Sequence, residues 1–115
     1  MIGVYFSLKE RMVYIYRETI RELGTPAYIR LLINPDKRKF AIEACRFGDP
    51  GYCPTPELDG SRGSYRISHT NLLRQIWQLC EWDVETTYRI PGVVYSNDHV
   101  AEFCLDDAEP VNTGG

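Results

Sequence analysis

The sequence predicts a small, mainly β domain of the α+β class, with two short helices set among paired strands. Three observations lead there. Short runs rich in β-branched and aromatic residues recur along the chain, each bounded by turn residues. Only two stretches carry the three-and-four spacing of an amphipathic helix. The chain is 115 residues long, with 43% hydrophobic and 25% charged side chains, which suits one core in one domain. Such a composition excludes a disordered acidic chain, a collagen-like polymer and a multidomain enzyme.

The first element is a hairpin. Val4-Tyr5-Phe6-Ser7 and Met12-Val13-Tyr14-Ile15-Tyr16 flank the polar turn Leu8-Lys9-Glu10-Arg11. A short helix follows over residues 17–23, with Ile20 and Leu23 on one face. Gly24 suits the position just past its end, and Pro26 prevents continuation. Residues 27–33 return as a strand, and Asn34-Pro35-Asp36-Lys37 has turn chemistry. Residues 39–45 close a second hairpin, with Phe40, Ile42 and Ala44 alternating onto one face.

Residues 47–63 hold three prolines and four glycines, which reads as a connector. The pair Gly60 and Gly63 resembles a phosphate-clamping loop only in spacing, since no basic helix follows. Ser64-Tyr65-Arg66-Ile67-Ser68 then alternates like a strand. Thr70 is the expected N-cap of a helix reaching about Glu81, with Leu72, Leu73, Ile76, Leu79 and Cys80 as its apolar stripe. Residues 86–95 form a strand interrupted at Pro91-Gly92 by a bulge or an edge position. Ser96-Asn97-Asp98 turns it, residues 100–105 return, and residues 106–115 read as a frayed acidic tail.

The order therefore repeats: residues 1–46 and 64–105 are two ββαββ or βαββ units. The comparable stretches run from Tyr28 to Cys45 and from Tyr88 to Cys104, each ending on a Glu-Xaa-Cys triplet.

The formal net charge is −3, but it is unevenly spread. Residues 1–46 carry nine basic and five acidic side chains, a balance of +4, and the remainder carries four and eleven, a balance of −7. One half could thus meet an anion while the other faces solvent or a basic protein. The start of the chain shows no basic segment followed by an apolar one, and no apolar run approaches the roughly 18 residues of a membrane span. A cytoplasmic location without membrane attachment is expected. Cys45, Cys53, Cys80 and Cys104 form no Cys-Xaa-Xaa-Cys pair, and His69 and His99 add no ligand spacing. They read as free thiols, with no metal and no cofactor.

The first unit resembles the swapped-hairpin barrels of the AbrB- and MazE-type family, small bacterial DNA-binding domains of regulators and antitoxins. The residues that carry the resemblance are Arg11 at the end of the first turn and Leu23-Gly24 closing the helix. Glu10 stands where glycine is usual and Tyr16 near where proline is usual. In that family two chains interleave to close one barrel. Here the resemblance implies two units in one chain forming one swapped-hairpin-like barrel, a monomer with homodimer as the other possibility.

No hydrolase, metalloprotease or nucleotide-binding motif is present, so an enzyme is not expected. Two binding functions stand. The resemblance and the +4 half imply duplex DNA contacted by Lys9, Arg11, Arg17 and Arg21, with arginine suited to phosphate and guanine alike. Alternatively, the −7 half could dock a basic nucleic-acid-binding protein by imitating phosphate, in the manner of anti-CRISPR or anti-restriction inhibitors. Asp83, Glu85, Asp98, Glu102, Asp106 and Asp107 would carry that contact, anchored by exposed aromatic residues such as Trp77 and Trp82.

Overall fold

The computed structural model describes residues 2–59 and 63–111. It is mainly β, with two helices against an antiparallel sheet that curls into a half-barrel. Chain order is β1 (Gly3–Ser7), β2 (Met12–Tyr16), α1 (Arg17–Glu22), β3 (Tyr28–Asn34) and β4 (Lys39–Cys45), then two short strands, β5 (Cys53–Pro54) and β6 (Leu58–Asp59). The second half continues with β7 (Ser64–Ser68), α2 (Thr70–Cys80), β8 (Thr87–Tyr95), β9 (Val100–Cys104) and β10 (Glu109–Val111). Spatially the strands run β5-β3-β4-β9-β8-β1-β2-β7-β6, and β10 adds to β8.

Three expectations change, the third at the start of α2. Residues 47–63 are not only a connector, because β5 pairs with β3 and β6 pairs with β7. The acidic tail does not fray from residue 106. A 3-10 turn at Leu105–Asp107 buries Leu105, and β10 then pairs with residues 87–89 of β8. Buried backbone must be paired, and the outer edge of β8 supplies the partner. Residues 112–115 and Gly60 lie outside the described residues.

Each helix end has a local cause. Gly24, at φ +90°, and Thr25 end α1 in a Schellman motif: their N–H groups donate to Arg21 O and Ile20 O at 3.0 Å each. The N-cap of α2 is His69 rather than Thr70. Its Nδ1 accepts from the Leu72 N–H at 3.4 Å, and Thr70 is already helical.

The break at Pro91-Gly92 is the corner where β8 changes partners. Residues 88–91 pair with β1, and residues 92–95 pair with β9. Proline lacks an N–H for the ladder, and Gly3 lies opposite it. Thr19 of α1, fully buried, fills the gap: its Oγ1 accepts from Gly3 N–H at 3.0 Å and donates to Gly3 O at 3.2 Å.

Both halves supply one hydrophobic cluster. Phe6, Phe40 and Phe103 are fully buried, with ring centroids 5.1 Å apart for the first pair and 5.6 Å for the second. Ile20 and Leu23 from α1 and Leu73, Ile76 and Trp77 from α2 close over it. Burying each such side chain contributes about 1.5–3 kcal/mol, and neither half has a core to itself.

Of the three ladders that join the halves, two are reciprocal in register, while β1 with β8 has no counterpart between β6 and β3 among the described residues. β2 meets β7 with Tyr14 opposite Arg66, and β4 meets β9 with Ile42 opposite Ala101. About the second pair, Ala41 faces Glu102 and Glu43 faces Val100. The β1–β2 hairpin closes with Phe6 opposite Val13 and Ser7 opposite Met12. β6 and β7 repeat that register with Leu58 opposite Tyr65 and Asp59 opposite Ser64. Four residues separate the strands in both cases, and the fourth is left-handed: Arg11 at φ 59° and Gly63 at φ +66°. The β3–β4 and β8–β9 turns share the pattern through Arg38 and His99, at φ 54° and 53°.

Candidate functional site

Alternation sends Val4, Phe6, Val13, Ile15 and Ile90 into the core, so Tyr5, Tyr14, Tyr16 and Arg89 face outward. Register then lines up a row across five strands: Glu109 of β10 opposite Arg89, Arg89 opposite Tyr5, Tyr5 opposite Tyr14, and Tyr14 opposite Arg66. Tyr5 and Tyr14 stack at 4.4 Å and 11°. Tyr16 tilts against Tyr5 at 6.1 Å and lies over Gly3, where a Cβ would sit 3.0 Å from its ring. Tyr14 is thereby only 3% exposed, and its hydroxyl donates to Glu10 Oε2 at 2.5 Å.

Above this face lies a cavity of about 710 Å³, within the usual range of ligand sites. Tyr5, Tyr16, Ser7 and Arg89 form its floor, and the Lys9-Glu10 turn, Glu85, Thr87 and Val111 form its walls. Arg89 Nη2 donates to Glu109 Oε2 at 3.1 Å, which raises the arginine's pKa. Burial raises the Tyr16 phenol, and the neighbouring Arg89 guanidinium partly offsets this. Ser7 Oγ accepts from the Glu10 N–H, and no His or Cys lines the cavity.

The four basic candidates divide into two groups. Lys9 and Arg11 sit in the β1–β2 turn, beside Thr70 and Arg74 at the start of α2. Arg17 and Arg21 lie beyond the opposite end of β2, where the Arg17 guanidinium rests against Gly63. Six residues of nearly extended chain separate Arg11 from Arg17, about 20 Å at the usual strand rise. Arg66, on β7 between the groups, was not among the sequence candidates. Its signal was only its place in an alternating strand.

The acidic candidates do not form a single surface. Asp83 and Glu85 lie in the loop after α2, where Asp83 O accepts from Trp77 Nε1 at 3.0 Å. Asp98 is in the β8–β9 turn, and Asp107 is exposed in the 3-10 turn after β9. Glu102 binds Lys39 at 2.8 Å, and Asp106 binds Arg38 at 2.7 Å. Both cations have raised pKa values from these bonds. Glu85 lies 3.7 Å from Lys9 across solvent. Among the described residues, the charge halves of the sequence are therefore interleaved in space and joined by three ion pairs. Trp77 is 4% exposed and packs edge-on to Trp82 at 5.0 Å, whereas Phe47 is the aromatic residue left 72% exposed.

The four cysteines are free thiols. Cys45 and His99 line one shallow cleft with Glu43 and Asp98, a proximity that sequence order does not reveal. Burial, then Asp49, raises the Cys45 pKa, the reverse of what a nucleophilic thiolate needs. Among the described residues, no three His, Cys, Asp or Glu side chains group to hold a metal ion, and no helix is long and apolar enough to cross a membrane.

Comparison with known proteins returns no match, whether to family models, to curated proteins or to solved structures.

Proposed function

We propose that the protein is a non-enzymatic binding module for duplex DNA, built as two swapped-hairpin-like units of the AbrB and MazE type within one chain. The observation that supports this reading is the reciprocal register of β2 with β7. It sets the turn of each unit against the helix start of the other. The consequence is a basic group at each end of β2, Lys9, Arg11 and Arg74 at one and Arg17 and Arg21 at the other, with Arg66 on β7 between. A two-fold arrangement of cations suits the two-fold symmetry of the duplex. With both units in one chain, the reading takes the protein as a cytoplasmic monomer.

The acidic-mimic reading has less support. Glu102 and Asp106 are already neutralised by Lys39 and Arg38, and a phosphate mimic must leave its carboxylates for the partner's cations.

The test is fluorescence anisotropy with a labelled pool of mixed-sequence duplexes from about 50 to about 200 mM salt. Binding whose logarithm falls linearly with the logarithm of salt is expected. Replacing Arg66 and Arg17 by Ala should each reduce the slope by about 0.9. Absence of binding at the lowest salt, or slopes that ignore both substitutions, overturns the proposal.

A further inference from the structure

We propose that the tyrosine-floored cavity binds a small organic cation, an alkylated or quaternary ammonium group. The charges around the cavity select the sign of the guest. Both cations there have an anionic partner: Arg89 is held by Glu109, and Lys9 lies next to Glu85. Glu10 accepts only the Tyr14 hydroxyl and has no cationic partner among the described residues. The lining itself carries two carboxylates, Glu10 and Glu85, against two cations, Lys9 and Arg89, and Glu109 beside it engages Arg89. The floor adds the rings of Tyr5 and Tyr16, whose π faces attract positive charge.

The geometry also makes an anionic guest share Arg89. Its guanidinium already donates to Glu109 and to the Tyr16 hydroxyl, so an incoming carboxylate or phosphate meets only its remaining donors and the nearby Glu109 charge. A guest ammonium meets no such competition. It would rest against the two rings from the open side and approach Glu10, displacing the long, solvent-exposed contact of Lys9 with Glu85. The site shares Lys9 with the DNA reading, but Tyr5, Tyr16 and Glu10, which carry the cation proposal, are not among the proposed DNA contacts, so the two readings fail separately.

The experiment is a titration of the ¹⁵N-labelled protein with tetramethylammonium chloride at constant ionic strength, followed by amide chemical shifts. Sodium benzoate provides an anionic control. Saturable shifts confined to residues 5–10, 16 and 85–89 are expected with the cation alone. Glu10→Gln should weaken binding about 2- to 5-fold, and Tyr16→Leu by a similar factor. Glu10→Gln is isosteric and surface-exposed, so it separates loss of the site from loss of the fold. Choline and a trimethyl-lysine peptide distinguish a free small molecule from a modified side chain as the source, and saturation by either at this site supports the proposal. Shifts that never saturate, equal shifts with benzoate, or an unchanged affinity in Glu10→Gln overturn it. DNA binding, present or absent, bears on none of these outcomes.

Discussion

Replacing Gly92 by Ala tests the corner of the fold. A Cβ at this position would lie 2.4 Å from Phe103 Cε1, 2.5 Å from Cδ1 and 3.0 Å from Glu102 O. Carbon atoms in ordinary contact sit about 3.5–4.0 Å apart, so ring and strand must separate by about 1 Å. Phe103 is fully buried and packs on Phe40, which packs in turn on Phe6. The shift therefore spreads through the centre of the core. Overpacking by one methyl group costs about 1–3 kcal/mol. The smaller conformational entropy of the unfolded alanine chain returns about 0.5–1 kcal/mol. A net loss of about 1–2 kcal/mol is expected in urea unfolding followed by tryptophan fluorescence, with the denaturant slope unchanged. Phe103→Leu removes the obstructing ring edge. The double variant should then be more stable than the summed single losses by about 1 kcal/mol, a coupling expected of touching residues. A Gly92→Ala protein as stable as the parent, or strict additivity in the double variant, would refute the reasoning.

Thr19→Val should cost about 2–4 kcal/mol in the same assay, because it strands two buried backbone groups of Gly3, while Thr19→Ser retains most of the stability. Arg11→Gly should leave the melting temperature unchanged or raised, since a left-handed arginine carries about 1 kcal/mol of strain. Arg38→Gly should lower the melting temperature, because its guanidinium also binds Asp106 and Leu79 O. Burial raises the pKa values of Cys53, Cys80 and Tyr16, so the folded chain holds these protons more tightly than the unfolded one. Stability is then complete below the ordinary thiol range and declines as pH climbs above about 8.5. Thermal melts at rising pH should show this decline, and Cys53→Ser with Cys80→Ser should shrink it in the thiol range, leaving the part from Cys45 and, at higher pH, that from Tyr16.

Much of the fold was legible because it is local. Met12–Tyr16, Lys39–Cys45 and Ser64–Ser68 announce themselves by alternation and bounding turns, and Gly24 announces the end of α1. The elements missed are those whose cause lies elsewhere in the chain. Cys53–Pro54 and Leu58–Asp59 contain no strand signal; they become strands because β3 and β7 offer open edges. Glu109–Val111 reads as a tail by composition, yet the outer edge of β8 captures it. His69 takes the cap from Thr70 because its ring nitrogen reaches the Leu72 N–H first. The site was less legible still. Lys9 and Glu85 were assigned to opposing functions, and the structure places them on one cavity wall. Tyr5, Tyr16 and Arg89 gave no motif, since a tyrosine in a strand pattern reads first as an ordinary β former.

The sequence alone determined the period of each main segment, the order of the two helices and the seven longer strands, the positions of most turns and the inward face of strands and helices such as Lys39–Cys45 and α2. These follow from interactions within a few residues of chain. Only the tertiary structure decided which strands pair across the halves, which surface carries the cavity and how the two charge blocks neutralise each other. Those outcomes depend on register between distant segments. A slip of one residue in β1 against β8 would exchange Tyr5 with Phe6 and turn the tyrosine floor into the core.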